Sequence, residues 1–301
     1  MAGDETLARR FEAERGRLRA IAHRLLGSPD QADDAVQEAW LRLVRTGDDG
    51  IDSLSAWLTT VVSRICLDML RAPSARREEP FGERPPERAA GTGGPEDAAV
   101  LGDSVGLALL VVLDRLGPAE RVAFVLHDLF GVPFDRIAAV VGRSRPAAKK
   151  LASRARHKVR GTPAVDGAEL DRHRRVVEAF LAAAQGGDLG ALLDVLAPDV
   201  VRRADLAALP PGIAPELRGA RAVAEGTVLL RDRSRCAAVA LVDGRAGIVV
   251  APHGRLLLAL RVGVEGERIT AYEVIAAPER LRRTEVAVLD PVGLSRPAPT
   301  R

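Results

Sequence analysis

The chain has 301 residues, which is long enough for two or three domains that each bury a core. Its 47% hydrophobic and 28% charged residues are typical of a soluble globular protein, and they exclude gross disorder. The formal net charge is only +3. No apolar run reaches the roughly 18 residues of a membrane helix, and the N-terminus lacks the apolar segment of a secretory signal. We therefore expect a cytoplasmic protein with no membrane partner.

The two cysteines, Cys66 and Cys236, are far apart and belong to no metal-binding motif. We accordingly expect no disulfide framework, no metal site and no cofactor.

The first 71 residues predict three helices. An amphipathic helix ends at Gly27-Ser28-Pro29, and the next helix, over 30–45, has an apolar stripe that includes Leu43 and Val44. Its other face is acidic near the N-terminus, where the helix macrodipole favours anions, so the acids are equally consistent with an ordinary helix start. The acidic face consists of Asp30, Asp33, Asp34, Gln37 and Glu38.

The third predicted helix, over about 53–71, has an apolar face behind Trp57 and a polar side. The polar side contains Thr59, Thr60, Ser63, Arg64, Asp68 and Arg71. Arg64 and Asp68 are one turn apart, so they could simply pair with each other. Trp57 is close enough to the apolar face to be a core residue.

Prolines and glycines then interrupt the helical pattern over 72–104, which predicts a flexible linker. Helices resume at Val105–Leu116 and Ala119–Phe130. The following stretch, 134–160, contains nine basic side chains and one acidic one. Gly142 ends a short helix, and Ser144 and Pro146 begin a second one with a small apolar face. This pattern predicts a helix-turn-helix whose second helix enters a DNA major groove; a solvated basic helix is the alternative.

After two more helices, over about 170–185 and 189–196, the last third of the chain predicts mainly short strands, with hairpin turns at Asp243-Gly244 and at 264–267. Helices followed by a curved antiparallel sheet indicate an α+β cone. The predicted strands are Val200–Arg203, Ala237–Val242, Ala246–Ala251, Arg255–Val264 and Arg268–Ile275.

Four sequence blocks in this order and spacing resemble a bacterial RNA polymerase sigma factor of the extracytoplasmic-function (ECF) type. They are DQADDAVQEAWLRL, AWLTTVVSRICLDMLR, LGPAERVAFVLHDLFG and the helix-turn-helix. The C-terminal third is similar to the SnoaL-like (NTF2-like) domain fused to the SigJ-like subgroup. Three motifs of that subgroup are altered, at 204–211, 84–87 and 277–281, so their contacts with the sigma domains are expected to be weakened or replaced.

The resemblance implies a multidomain fold: two all-α sigma domains (a region 2 helical bundle and a region 4 helix-turn-helix) followed by an α+β NTF2-like cone. The expected segments are region 2 over 5–72, a flexible linker over 73–103, region 4 over 104–162, the SnoaL-like domain over 168–284 and a disordered tail over 285–301.

The resemblance also implies partners for individual residues. Asp33, Asp34, Gln37 and Glu38 would bind core RNA polymerase at the β′ clamp region, through opposite charges. Trp57, Thr60, Ser63 and Arg64 would contact the melted downstream promoter element. The upstream promoter element would be read by Arg143, Ser144, Arg145, Lys149, Lys150, Ser153, Arg154 and Arg156, of which Lys149, Lys150 and Arg154 are the strongest candidates for base or phosphate contact.

We therefore expect a sigma factor that binds core RNA polymerase and directs promoter-specific initiation, with its C-terminal domain modulating activity in cis. A ligand-responsive helix-turn-helix regulator is the alternative. An enzyme with a DNA-binding appendage is a third reading, but Asp199, Asp205, His173 and His253 form no recognisable catalytic set, so we predict no enzymatic activity and no catalytic residue. A small-molecule ligand and an intramolecular contact both stay open for the C-terminal domain.

Overall fold

The computed structural model of the protein describes residues 2–48, 50–72 and 104–289. Their contacts divide them into two units. The first unit contains the described residues up to 72 together with 115–156, and the second contains 104–114 and 157–289. The predicted linker over 73–103 lies outside the described residues. Within the described ranges, no helix is both long enough and apolar enough to cross a membrane.

The first unit begins with the predicted three-helix bundle: α1 (Ala2–Leu26), α2 (Pro29–Thr46) and α3 (Leu54–Arg71). A serine hydroxyl caps each of the last two helices, because Ser28 accepts from the Gln31 N–H and Ser53 from the Ala56 N–H. The apolar stripes meet in a core whose central side chains are fully covered. This core includes Leu18, Ile21, Leu25, Leu43 and Leu58.

The helix α4 (Ser104–Asp114) belongs to the second unit, and the chain then returns to the first with α5 (Pro118–Phe124). A π-helical turn over Val125–Leu129 prolongs α5. The helix-turn-helix follows as α6 (Phe134–Val141) and α7 (Arg145–Arg160). As predicted, Gly142 ends α6 in the left-handed conformation, with φ 66°. Both α5 and α6 contact α3.

The helices of the second unit frame its strands. They are α8 (Gly167–Gly186), α9 (Leu189–Val195), α10 (Ala220–Val228), α11 (Arg231–Ser234) and α12 (Pro278–Arg283). Aspartate side chains cap the first two, because Asp166 accepts from the Glu169 N–H and Asp188 from the Ala191 N–H. The core of the unit includes Phe180, Leu192 and Tyr272.

Seven strands form one mixed sheet in the order β2-β1-β6-β5-β4-β3-β7. The strands are β1 (Leu196–Ala204), β2 (Glu216–Arg218), β3 (Ala237–Val242), β4 (Arg245–Val250), β5 (Leu258–Glu265), β6 (Arg268–Ile275) and β7 (Val286–Ala287). The α+β prediction is confirmed, but the sheet is not purely antiparallel, because β1 runs parallel to β6. Strands β2 and β7 are too short to show period-two alternation, which explains why the sequence did not predict them.

By its contacts α4, the first helix of the predicted region 4, groups with the C-terminal sheet. One predicted boundary is wrong. The predicted disordered tail starts too early at 285: Val286, Ala287 and Val288 are buried, and β7 pairs with β3. Three consecutive apolar residues gain more from covering the sheet than from facing water. The tail beyond 289 lies outside the described residues.

Candidate nucleic-acid and polymerase interfaces

The second helix of the helix-turn-helix, α7, has one buried face and one basic face. Its buried face is built from Ala148, Ala152, Ala155 and Val159, each at most 1% exposed. Small side chains allow α7 to approach its neighbours closely, so its long cations are directed away from the core. The residues exposed on and just before α7 include Arg143, Ser144, Arg145, Lys149, Lys150, Ser153 and Arg154. The structure thus brings seven of the eight predicted upstream-element residues onto accessible surface.

The eighth residue, Arg156, is half-buried and bound to an acid. Its Nε donates to Oδ1 of Asp128 at 2.6 Å, which joins α7 to the π-helical turn. Lys149 and Arg145 contact α6: the Lys149 Nζ lies 5.9 Å from the centre of the Phe134 ring, and the Arg145 Nε lies 3.3 Å from Oδ1 of Asp135. The cation–π contact and the two ion pairs therefore fix the basic helix relative to its own domain.

The acidic face of α2 is only partly neutralised by neighbouring arginines. Asp33 accepts from Arg19 at 2.7 Å, and Glu38 accepts from Arg42 one turn later at 2.8 Å. Asp34 and Gln37 are exposed between them. No cation lies within salt-bridge distance of Asp34 in the described part of the chain. The face can therefore offer a carboxylate and an amide to a basic partner without first breaking an internal ion pair.

Two apolar side chains extend this face. Leu41 and Val44 are 41% and 51% exposed, and they follow Asp34 and Gln37 along the same side of α2. The sequence predicted Val44 in the buried stripe; this was wrong, because the bundle core stops at Leu43. Helical spacing alone could not separate the two neighbours, since both lie near the border of the stripe.

The four residues predicted to contact the melted element lie in different environments on α3. Trp57 is half-buried, and Thr60 donates its hydroxyl to the Ala56 carbonyl at 3.0 Å. Ser63 is fully buried, which corrects its predicted position on an accessible polar face, and Thr59 is only 4% exposed. The predicted polar side of α3 is thus partly covered, because α3 contacts α5 and α6 in addition to the bundle.

The cover on α3 includes one hydrogen bond that uses a predicted DNA contact. Arg64 donates from Nη2 to the Ala139 carbonyl of α6 at 2.9 Å. The buried Ser63 hydroxyl has no hydrogen-bond partner among the described residues. A buried hydroxyl without a partner costs about 1 to 3 kcal/mol. Nearby, burial raises the pKa of Cys66 to about 12, so its thiol is chemically inert near neutral pH.

A further buried contact joins α5 to the end of α1. Arg121, only 5% exposed, donates from Nη1 to the Leu25 carbonyl at 3.0 Å. That carbonyl is among the last of α1, which have no partner within the helix and lie at its negative end. Arg121 therefore supplies a charged hydrogen-bond donor to a carbonyl at the C-terminal end of α1.

The buried polar side chains of the second unit each contact a different partner. The Tyr272 hydroxyl lies 3.0 Å from Oγ1 of Thr227, and the buried Arg202 donates to the Ala214 carbonyl at 2.5 Å. His173 lies 3.5 Å from Glu169, and burial lowers its pKa although Glu169 acts in the opposite direction. Asp199 is exposed. Within the described ranges, no three His, Cys, Asp or Glu residues are placed to hold a metal ion.

The helical segments described above match two known protein-domain families. The family model for sigma-70 region 2 matches residues 10–77, and the model for sigma-70 region 4 matches residues 106–159. The chain therefore contains the two conserved domains of a sigma-70-type factor, in the order predicted from the sequence.

Two curated relatives extend the similarity to the whole chain. The probable ECF RNA polymerase sigma factor SigI of Mycobacterium tuberculosis is 36% identical over 292 residues, which cover 93% of this chain and 97% of the relative. The ECF RNA polymerase sigma factor SigJ of the same species is 40% identical over 280 residues, with 90% and 86% covered. The crystal structure of SigJ from M. tuberculosis is 35% identical, covers 91% of this chain and 98% of that one, and gives a TM-score of 0.46. The chain belongs to the ECF family of RNA polymerase sigma factors, whose members bind core RNA polymerase and promoter DNA.

Proposed function

We propose that this sigma factor binds its two partners with two oppositely charged helices. The exposed acidic face of α2 binds the basic β′ clamp region of core RNA polymerase, through Asp33, Asp34, Gln37 and Glu38. The exposed basic face of α7 binds the upstream promoter element. The observation that supports this assignment is the separation of charge: an acidic face on one helix of the first unit and a basic face on another, each accessible to solvent. Complementary charge speeds encounter and sets register.

Within α7 we assign different tasks to different cations. Lys149, Lys150 and Arg154 are exposed, the two lysines side by side and Arg154 one turn later, so they reach base edges or phosphates in the groove. Arg143 and Arg145 lie at the start of the helix and bind phosphates, with Ser144 and Ser153 as hydroxyl donors. Arg156 is assigned to phosphate as well, and its ion pair with Asp128 keeps its side chain pre-oriented.

The assignment of α3 to the melted downstream element requires a rearrangement. Trp57 and Thr60 are half-buried, but Arg64 contacts α6 and Ser63 is covered. We propose that α5 and α6 move away from α3 when the polymerase binds, which frees Arg64 for phosphates and Ser63 for extruded bases. The unpartnered Ser63 hydroxyl supports this proposal, because the covered arrangement leaves it unsatisfied.

We assign the second unit a regulatory role in cis and no catalysis. Its buried Tyr272, Arg202 and His173 each have a partner of their own, and they do not form a nucleophile with an adjacent base. Because its partner is the polymerase, the protein acts in the cytoplasm.

Reconstitution with core polymerase tests the central assignment. We expect the protein to co-elute with core polymerase and to support promoter-dependent transcription. Replacing Asp34→Lys together with Gln37→Lys should abolish co-elution. Glu12→Lys is the matched control, because Glu12 is an exposed acid on α1 of the same bundle, and it should leave binding unchanged. Equal effects of the two changes would refute the assignment of α2.

The same variants separate this function from the alternative, a helix-turn-helix regulator that does not act as a sigma subunit. Both functions predict DNA binding through α7. Only a sigma factor loses transcription when α2 alone is changed. A promoter complex that forms normally with the Asp34→Lys and Gln37→Lys variant would favour the regulator.

A further inference from the structure

The helix α4 is apolar around its whole circumference. Seven consecutive residues, from Leu107 to Leu113, are each at most 6% exposed. A surface helix buries one face only, whereas a helix buried on every side must be enclosed by several elements. In the second unit α4 packs against β3, β7 and the turn at Pro252–Gly254. At that turn the approach is so close that a Cβ on Gly254 would lie 3.2 Å from the Leu110 Cβ.

The last turn of α7 lies on the same edge of the sheet. The Val159 carbonyl accepts from the Val288 N–H at 2.8 Å, directly after β7. Gly161 approaches β7 so closely that a Cβ there would lie 2.5 Å from the Ala287 Cβ and 3.0 Å from Leu241 of β3. Three residues later, the Ala164 N–H donates to the Gly244 carbonyl in the β3–β4 turn at 2.7 Å.

These contacts hold both ends of the DNA-reading segment. Residues 115–156 include α5, α6 and most of α7, and they belong to the first unit. The residues just before them, in α4, and just after them, 157–164, are both fixed to β3 and β7. The chain therefore leaves this sheet edge, forms the helix-turn-helix, and returns to the same edge.

We propose that the β3–β7 edge of the C-terminal sheet anchors the two chain segments that flank the helix-turn-helix, α4 and 157–164, and that the C-terminal domain regulates promoter reading through these two anchors. This inference rests on the proposed function of α7. Because β7 contacts both α4 and the residues at the end of α7, a displacement of β7 would move the two ends of the DNA-reading segment. If α4 only filled the core of the second unit, the same displacement would change stability and leave DNA binding intact.

Two glycines with the same φ test this anchoring in the full-length chain. Gly161 and Gly266 both have φ 59°, but a Cβ on Gly266 meets nothing within 4 Å. The change Gly161→Ala therefore adds an overlap with Ala287 that Gly266→Ala lacks. We expect Gly161→Ala to weaken binding of promoter DNA by the polymerase complex about tenfold relative to Gly266→Ala, and to speed hydrogen exchange in β7 and α4.

A compensating change keeps the test decisive even if Gly161→Ala destabilises the protein. Ala287→Gly removes the closest atom that the new Cβ would meet and leaves only the end of the Leu241 side chain at 3.0 Å, so the double variant should recover most of the exchange protection and DNA binding of Gly266→Ala. Equal effects of Gly161→Ala and Gly266→Ala, or faster exchange in β7 with unchanged DNA binding, would overturn the proposal. Failure of the unmodified protein to form a promoter complex would instead contradict the proposed function.

Discussion

The carboxylate of Asp205 joins segments that are distant in the chain. It accepts from the Ala276 and Ala277 N–H groups at 3.0 and 2.9 Å, and from Arg280 at 2.5 Å. Burial alone would raise the pKa of Asp205, but the two N–H groups and Arg280 lower it below its ordinary value. Arg280 also donates to Glu273, and Glu273 accepts a second hydrogen bond from Arg261. The two altered subgroup motifs, at 204–211 and 277–281, therefore still contact each other through Asp205.

Removing this carboxylate should destabilise the second unit. We expect Asp205→Ala to lower the free energy of unfolding by about 2 to 3 kcal/mol, because it leaves two N–H groups and a guanidinium without their acceptor. Urea denaturation measures the loss. Asp232→Ala is the control, since the Asp232 side chain is 85% exposed and should change stability little. A similar loss for both variants would contradict the structural role of Asp205.

The same residue predicts a pH dependence. Because the folded-state pKa of Asp205 is lowered, its contribution to stability is complete above the unfolded-state pKa of about 3.9. It is lost as the pH falls through the lower folded-state pKa, where the carboxylate becomes protonated. The difference in unfolding free energy between the native protein and Asp205→Asn should therefore be constant near neutral pH and shrink in acid. A difference that stays constant down to the lowest accessible pH would refute this.

The two thiols should differ in reactivity. Cys66 is fully buried in α3 with a pKa raised to about 12, whereas Cys236 is exposed, although partial burial also raises the pKa of its thiol. We expect a maleimide near neutral pH to label Cys236 in the folded protein and Cys66 only after denaturation. Mass spectrometry of Cys236→Ser gives the control. Rapid labelling of Cys66 in that variant would show that the cover on α3 opens without polymerase.

At the scale of elements, sequence patterns predicted the helices better than their surroundings. The Gly27-Ser28-Pro29 break, Gly142 and Ser144 predicted where α1 and α6 end and where α7 begins, because these signals are local. The burial of Ser63 was not predictable in this way. A helical pattern indicates the one apolar face that a bundle needs, but α3 contacts a second set of helices, and such tertiary contact has no period in the sequence.

The basic face of α7 leads to a prediction about salt. Replacing a cation that binds phosphate should weaken DNA binding uniformly and reduce the salt-dependence slope by about one. Replacing one that binds a base edge should cost about 1 to 3 kcal/mol at a single promoter position. Single alanine variants of Lys149, Lys150 and Arg154, titrated against promoter variants at several salt concentrations, distinguish the two roles. Arg221→Ala on α10, with an 81% exposed side chain, is the control. An unchanged slope and specificity in all three variants would contradict DNA reading by α7.

At the scale of the whole molecule, the domain order was predictable and the contacts of α4 were not. Charge and turn residues predicted two helical domains before an α+β domain, and this is confirmed. The packing of α4 against the sheet was not predicted, because an apolar helix fits either neighbour equally well by pattern. Seven consecutive residues of α4 are buried, so neighbouring elements must cover the helix on all sides, whereas an amphipathic helix needs cover on one face. The sequence does not show that the sheet supplies part of this cover.

A truncated chain should reveal this requirement. A protein that ends at Thr162 keeps α4 but lacks β3 and β7, so its apolar side chains lose their cover. We expect this fragment to self-associate in light-scattering measurements, unlike the full-length chain. Charged replacements at Leu110 and Leu113 in the fragment should restore a monomer. A monomeric fragment with an unmodified, hydrogen-exchange-protected α4 would show that α4 finds other partners.

Because β7 lies far from α7 along the chain, their contact has a consequence for protein synthesis. The ribosome completes α7 at Arg160 and adds well over a hundred further residues before Val286 and Ala287 emerge. During that interval the Val159 carbonyl lacks the Val288 N–H that it accepts from in the folded chain. We therefore expect the end of α7 to stay unanchored in a growing polypeptide, or in one shortened past β7 by an exopeptidase.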